Sequence, residues 1–189
     1  LNPFSIDEQH RLSLDLDDAI PALLSFRDSP HFDLRPNKID ISVVVVHCIS
    51  LPESCFNLPY IEQLFMGQLD CNADPSFSEL QGLRVSAHLV IKRDGSITQY
   101  VPFDKRAWHA GVSSYELRDN CNDFAIGIEL EGDIHSSFEA AQYQSLNWVC
   151  AALYAKYPLI SRERLVAHSD IAPGRKLDPG PFFDWTKVV

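Results

Sequence analysis

Four consecutive valines, Val43–Val46, lie inside the run Ile41–Cys48, and they constrain the fold more than any other stretch. β-Branched side chains lose rotamer freedom in a helix and pack well on a pleated strand. A run that is apolar on both faces needs cover on both, so Ile41–Cys48 is predicted as a central strand. Alternation puts Val43, Val45 and His47 on one face and Val44, Val46 and Cys48 on the other. His47 then falls at the strand's end, where α/β sheets open onto ligand crevices.

The other elements are read around that strand. Phe124–Leu130 is a second strand, with Ile126, Ile128 and Leu130 on one face and Gly127, Glu129 and Glu131 on the other. Ala87–Lys92 and Ser96–Val101 flank Asp94-Gly95 and form a β-hairpin, since Asp-Gly suits a tight turn. Ser136–Tyr157 is the longest helix: Ser136 and Glu139 are spaced as a capping box, Pro158 stops it, and Phe138, Ala141, Leu146, Val149, Leu153 and Tyr157 form an apolar stripe. Tyr60–Met66 is a short helix and Leu165–His168 a short strand. Gly67–Gly82 is polar and irregular, an excursion lining a cleft. Residues 1–40 are expected as an irregular segment packed on the domain, with a short helix at Ala19–Leu24 and irregular chain between Pro30 and Pro36. The fold class is α/β: a single domain with a mixed central sheet flanked by helices, its catalytic part spanning residues 41–189.

Composition narrows the partners. At 189 residues the chain can bury one substantial core. A formal net charge of −10 disfavours nucleic acid and anionic membranes as partners. No apolar run reaches the roughly 18 residues that span a bilayer. Five cysteines without a C-x-x-C pair argue against a disulfide framework or a zinc knuckle, and for free thiols in a reducing compartment. The N-terminal sequence lacks the basic start and apolar segment of a signal peptide, so a cytoplasmic location is expected.

The chemistry concentrates in Val166–Pro181, V-A-H-S-D-I-A-P-G-R-K-L-D-P-G-P. Its prolines and glycines predict a loop with fixed bends rather than a helix, a usual place for reactive side chains. His168 and Asp178 from this loop, with His47 from the first strand, are three candidate metal ligands; a catalytic zinc takes about three and leaves one position open. Glu129 is the candidate base, because a carboxylate ending an apolar strand is partly desolvated and its pKa rises. Periodicity alone does not separate Glu129 from Glu131, which shares its face. Lys176 can stabilise developing negative charge. Trp108 and His109 are candidate pocket wall.

These segments also carry a resemblance. V-V-V-V-H at 43–47, R-V-S-A-H at 84–88, W-H-A-G at 108–111, N-D-F-A-I-G-I-E-L-E-G at 122–132 and H-S-D-I-A-P-G-R-K-L-D-P-G-P at 168–181 together resemble the zinc-dependent N-acetylmuramoyl-L-alanine amidases (amidase type 2, peptidoglycan-recognition-like). The resemblance is greatest to the AmpD-type enzymes, which cut 1,6-anhydro-muropeptides in peptidoglycan recycling. It implies one zinc held by His47, His168 and Asp178, with Glu129 as general base and Lys176 stabilising the oxyanion. It further implies a muropeptide pocket lined by Arg84, Trp108 and His109, and hydrolysis of the amide between N-acetyl-1,6-anhydromuramic acid and L-Ala. A non-catalytic peptidoglycan-binding module and a general wall-lytic amidase are the alternatives. Cys48 departs from the Asn common at its position, and Asn120 from a basic residue found in some relatives.

Overall fold

The structure is a computed structural model and describes residues 2–14 and 23–188. Its strands are β1 (Phe4–Ile6), β2 (Leu12–Leu14), β3 (Leu24–Phe26), β4 (Phe32–Leu34), β5 (Val43–Ile49), β6 (Leu89–Ile91), β7 (Ile97–Gln99), β8 (Lys105–Ala107), β9 (Ser114–Tyr115), β10 (Arg118–Asp119), β11 (Ala125–Glu131) and β12 (Leu165–Ala167). The helices are α1 (Tyr60–Phe65), α2 (Ala140–Lys156) and α3 (His168–Ile171).

The valine run becomes β5, inside a six-stranded sheet ordered β12-β5-β11-β6-β7-β3. The first four strands in that order are parallel; β7 runs antiparallel to β6, and β3 parallel to β7. The sheet is therefore mixed, as expected. The hairpin turns at Asp94-Gly95, where Asp94 Oδ1 accepts the Ser96 N–H at 2.9 Å and Gly95 takes φ +86°. That left-handed conformation suits glycine.

The predicted alternation sorts the two faces. Val44 and Val46 pack with Ile126, Ile128 and Leu130 against Leu146, Val149 and Leu153 of α2. Val43 and Val45 join Ala110, Phe124 and Ile171 on the other face. Burying each such side chain contributes about 1.5–3 kcal/mol, so β5 is held from both sides. His47 lies on the face away from α2.

Three expectations are corrected. First, α2 starts at Ala140 rather than Ser136, because the Ser136 hydroxyl donates to Asp133 Oδ1 at 2.9 Å and closes a turn there. The residues that cap the helix are Glu139 and Gln142: Gln142 Oε1 accepts the Glu139 N–H at 3.0 Å. Second, the loop after β12 opens with one helical turn, α3, and Asp170 Oδ2 accepts the Ala167 N–H at 2.8 Å. Pro173 and Gly174 lie beyond that turn and do not oppose it.

Third, the described residues before position 41 are not all irregular. β1 and β2 pair antiparallel and bury Phe4 and Leu12 in the α2-side core. β3 extends the central sheet and β4 pairs with β8. Three-residue strands are too short for periodicity to reveal; each is defined by its partner. The expected helix at Ala19–Leu24 lies outside the described residues up to position 22, and Leu24 begins β3.

Arg35 ties this segment to the sheet. It is buried, and its guanidinium donates to the carbonyls of Phe103, Asn122, Asp123 and Ala125 at 2.8–3.2 Å. Burial without a carboxylate partner lowers its pKa to about 10, which still leaves it charged at neutral pH. Among the described residues, no helix is long and apolar enough to cross a membrane. All five cysteines are free.

Candidate active site

Parallel pairing of β5 with β11 sets the centre, because the register places His47 beside Glu129. Both point to the face away from α2. One step back along that face, Gly127 lies beneath the His109 ring: a Cβ at position 127 would sit 2.4 Å from His109 Cγ. Only glycine leaves the imidazole room to reach His47.

The three expected ligands converge. His47 Nδ1, His168 Nδ1 and Asp178 Oδ2 all lie within 4.8 Å of one another. The two Nδ1 atoms are 2.9 Å apart, and Asp178 Oδ2 is 3.2 Å from His47 Nδ1 and 3.0 Å from His168 Nδ1. His168 donates its Nε2–H to the Ala110 carbonyl at 3.1 Å, which leaves a lone pair at Nδ1. That lone pair faces the Asp178 carboxylate, and two acceptors this close repel unless a proton or a cation lies between them. Nitrogen, nitrogen and oxygen donors form a set that suits zinc, so the residues fit the ion that the sequence implies.

Burial shapes the charges here. His47 is fully enclosed, and desolvation draws its pKa down to about 4 despite the Asp178 carboxylate. A neutral imidazole is the form that ligates a metal. Burial pushes the Asp178 carboxyl upward, but the His168 and His47 rings overcome it and hold the group well below the usual carboxylate range.

Behind the ligands stands a chain of imidazoles. His109 Nδ1 lies 2.9 Å from His47 Nε2, with the rings edge to face. His109 Nε2 is buried with no hydrogen-bond partner. Farther back, His88 Nδ1 accepts the Gly127 N–H at 3.0 Å, and its Nε2 faces the Lys105 carbonyl. Desolvation first, then the charge of Arg35, lowers the His88 pKa to about 3.

Glu129 Oε1 lies 4.0 Å from His47 Nδ1, and its Oε2 is buried without a partner. Desolvation, reinforced by Asp178, raises its carboxyl well above the ordinary value, with Lys176 opposing. Glu131 is differently employed: its carboxylate accepts the backbone N–H of Asn57 at 2.6 Å and of Arg93 at 3.3 Å. The geometry thus separates two carboxylates that alternation could not.

Lys176 is exposed and lines the same cavity of about 220 Å³ as the three ligands, Glu129, Trp108 and His109. Arg84 does not line it. It borders a neighbouring cavity of about 170 Å³ with His31 and Cys71, and the two cavities share Leu64, Leu80 and Leu83. Trp108 is half-buried and stacks on His31, with ring centroids 6.1 Å apart. Cys48 lines the ligand cavity beside its β5 neighbour His47, with its thiol pushed up by burial. Asn120 is exposed in a left-handed conformation, φ 59°.

Residues 37–181 match the family model of the N-acetylmuramoyl-L-alanine amidases. The chain belongs to this family.

Among its relatives, the 1,6-anhydro-N-acetylmuramyl-L-alanine amidase AmpD of Haemophilus influenzae is 53% identical over 161 residues, covering 85% of this chain and 88% of the relative. A crystal structure of a selenomethionine AmpD derivative superposes with a TM-score of 0.85 at 53% identity, covering 91% of this chain and 96% of that one. The Escherichia coli amidase AmiD is known in complex with the substrate anhydro-N-acetylmuramic acid-L-Ala-D-γ-Glu-L-Lys. It matches at a TM-score of 0.56 and 29% identity, over 98% of this chain and 64% of that one.

Sequence reading left parts of this amidase site unassigned. The guanidinium of Arg175 donates to the Ala110 carbonyl at 2.6 Å and the Val112 carbonyl at 2.7 Å. It thereby fastens the ligand loop to residues 110–112. Asn122 Oδ1 accepts the N–H of His109 at 3.1 Å and of Ala110 at 2.8 Å. Both residues fall in or beside segments that carry the family resemblance, and that proximity was the only available signal.

Proposed function

We propose that this amidase hydrolyses the amide joining the lactyl carbonyl of N-acetyl-1,6-anhydromuramic acid to L-Ala of the stem peptide, with one zinc held by His47, His168 and Asp178. The proposed setting is cytoplasmic recycling of peptidoglycan fragments, which five free thiols suit. The observation that carries the reading is the convergence of those three ligand atoms beside a partnerless, buried Glu129 oxygen.

When bound, zinc supplies Lewis acidity, polarising the amide carbonyl and acidifying water. Glu129 takes the proton of the attacking water and delivers it to the leaving L-Ala nitrogen. Its raised pKa favours holding that proton, while Lys176 pulls the resting carboxyl back toward ionisation. The Lys176 ammonium faces the cavity and stabilises charge growing on the carbonyl oxygen. Asp178, kept ionised, offsets the cation's charge. Trp108 offers an aromatic wall to the sugar, and Arg84, one cavity away, is the cationic group assigned to a stem-peptide carboxylate.

The presence of every one of these groups supports an enzyme over a binding module. The likeness to AmpD of Haemophilus influenzae, 53% identical over most of both chains, supports a 1,6-anhydro sugar end over a continuing glycan strand. The test is to incubate equal amounts of anhydro-muropeptide, the corresponding reducing muropeptide and purified sacculi with the protein, and to follow lactyl-amide cleavage by mass. Rapid cleavage of the first and little of the others is expected. Comparable cleavage of sacculi would replace the recycling role with that of a general wall amidase.

A further inference from the structure

Each histidine ligand must present a bare Nδ1 to a metal, so each must carry its proton at Nε2 and give it to something. For His168 the acceptor is the Ala110 carbonyl, 3.1 Å away. For His47 the atom facing Nε2 is Nδ1 of His109, 2.9 Å away. The two acceptors belong to consecutive residues, and one atom holds both: Asn122 Oδ1 accepts the backbone N–H of His109 and of Ala110, at 3.1 and 2.8 Å.

Asn122 is itself fixed from behind, because its carbonyl accepts from Arg35 Nη1 at 3.1 Å. It stands just before β11, the strand that carries Glu129. We infer that Asn122 is a positioning residue for the metal centre, its single carboxamide oxygen setting the proton acceptors of both histidine ligands at once. The inference rests on the metal reading above and adds to it a residue that touches neither ligand.

The geometry explains why a carbonyl-type oxygen is needed at this position. Two adjacent N–H groups converge on one acceptor, and an oxygen with two lone pairs serves both. Without it, the backbone of residues 109 and 110 loses its shared anchor, and the Ala110 carbonyl is left to Arg175, which also donates to it at 2.6 Å. The acceptors that fix the tautomer and orientation of the His47 and His168 rings are then held less firmly. Loss of such outer partners commonly weakens metal binding by about 10–100-fold. The His109 ring is further confined by Gly127 beneath it, so its freedom comes from the backbone that Asn122 holds.

Zinc affinity, measured by competition with a chromophoric chelator, tests this without any turnover assay. The wild-type chain, Asn122→Ala and Asn122→Asp are compared at one temperature below all three melting points. Asn122→Ala is expected to bind zinc about 10–100-fold more weakly, and Asn122→Asp, which keeps an acceptor oxygen, to stay within about threefold of wild type, a spacing set by the same outer-partner range. Equal affinity in Asn122→Ala and wild type would overturn the inference while leaving the metal reading intact, as would equal loss in both variants. A wild-type chain that binds no zinc would overturn the metal reading and this inference with it. Because Asn122→Ala could fail to fold, the zinc-loaded wild type supplies a second arm by nitrogen NMR. Protons at Nε2 of both His47 and His168, and through-hydrogen-bond couplings from the Asn122 carboxamide to the amides of His109 and Ala110, are expected. A bare His47 Nε2, or absent couplings, would overturn the assignment.

Discussion

Glu129 and Glu131 leave the same strand on the same side, two residues apart, and do different work. Glu129 has an oxygen with no partner; Glu131 is saturated by two backbone donors. Glu129→Ala should therefore retain zinc and lose about 10²–10⁴-fold in turnover, as for removal of a general base. Glu131→Ala should leave the chemistry nearly intact and cost about 1–3 kcal/mol of stability, chiefly by leaving the Arg93 amide short of a partner, since exposed Asn57 can turn to water. Denaturant melts and turnover measured on both variants decide it; a swap of the two phenotypes would reverse the assignment. Asp178→Ala should abolish tight zinc binding, since two histidines rarely hold the ion alone. Full occupancy in that variant, read by metal analysis, would remove Asp178 from the ligand set. At this scale the sequence revealed what alternation and residue chemistry encode: His47 at a strand end, and a carboxylate on the same face one strand away. It was silent on Asn122, His88 and Arg175, whose roles are defined by atoms 12 to 65 positions distant.

Among the elements, α2 is coupled to the strand ends through one side chain. Gln142 is fully buried, and while its oxygen takes the Glu139 N–H, its Nε2 donates to the carbonyls of Ile91 and Glu131 at 3.2 and 3.0 Å. Those carbonyls end β6 and β11. Gln142→Ala leaves three buried or part-buried backbone groups short of a partner, and a loss of at least about 3 kcal/mol is expected at ~1–3 kcal/mol per group. Urea unfolding would register it, with zinc stoichiometry unchanged; a loss under about 1 kcal/mol would mean that water takes over those bonds. The long elements β5, β11 and α2 were legible because their periodicity runs over several residues. β1–β4 were not, since a three-residue strand carries no pattern of its own and acquires its identity from β7, β8 or its hairpin mate. The start of α2 was misplaced for a related reason: Asp133, outside the expected helix, claims the serine that looked like a cap.

For the whole molecule, the buried imidazoles set a response to acid. His47 and His88 titrate in the fold at about 4 and about 3, and His109 is also held well below its ordinary value, all through desolvation. Unfolded, each takes up a proton near pH 6.5. Their folded pKa values are depressed, so this stability is present above pH 6.5 and drains away as the pH falls toward 4. Glu129, raised in the fold, works in the opposite sense and offsets part of this loss. Each proton that the unfolded chain takes up and the fold refuses steepens the loss by up to about 1.4 kcal/mol per pH unit in the metal-free chain below roughly pH 6.5. Melting in the presence of a chelator at pH 7 and pH 5 should show that steep decline, whereas similar melting temperatures would mean that these rings are not neutral in the fold.

The ligand set is also spread very unevenly along the chain: His47 is separated from His168 by 121 positions and from Asp178 by 131. A polypeptide growing on the ribosome makes the first corner of the site early and the last only when residue 178 emerges. Until then two imidazoles stand without the carboxylate, and an ion that meets them has no closed seat. For this proposed ligand set, metal capture thus waits until residue 178 has been made and the distant strands have found their register.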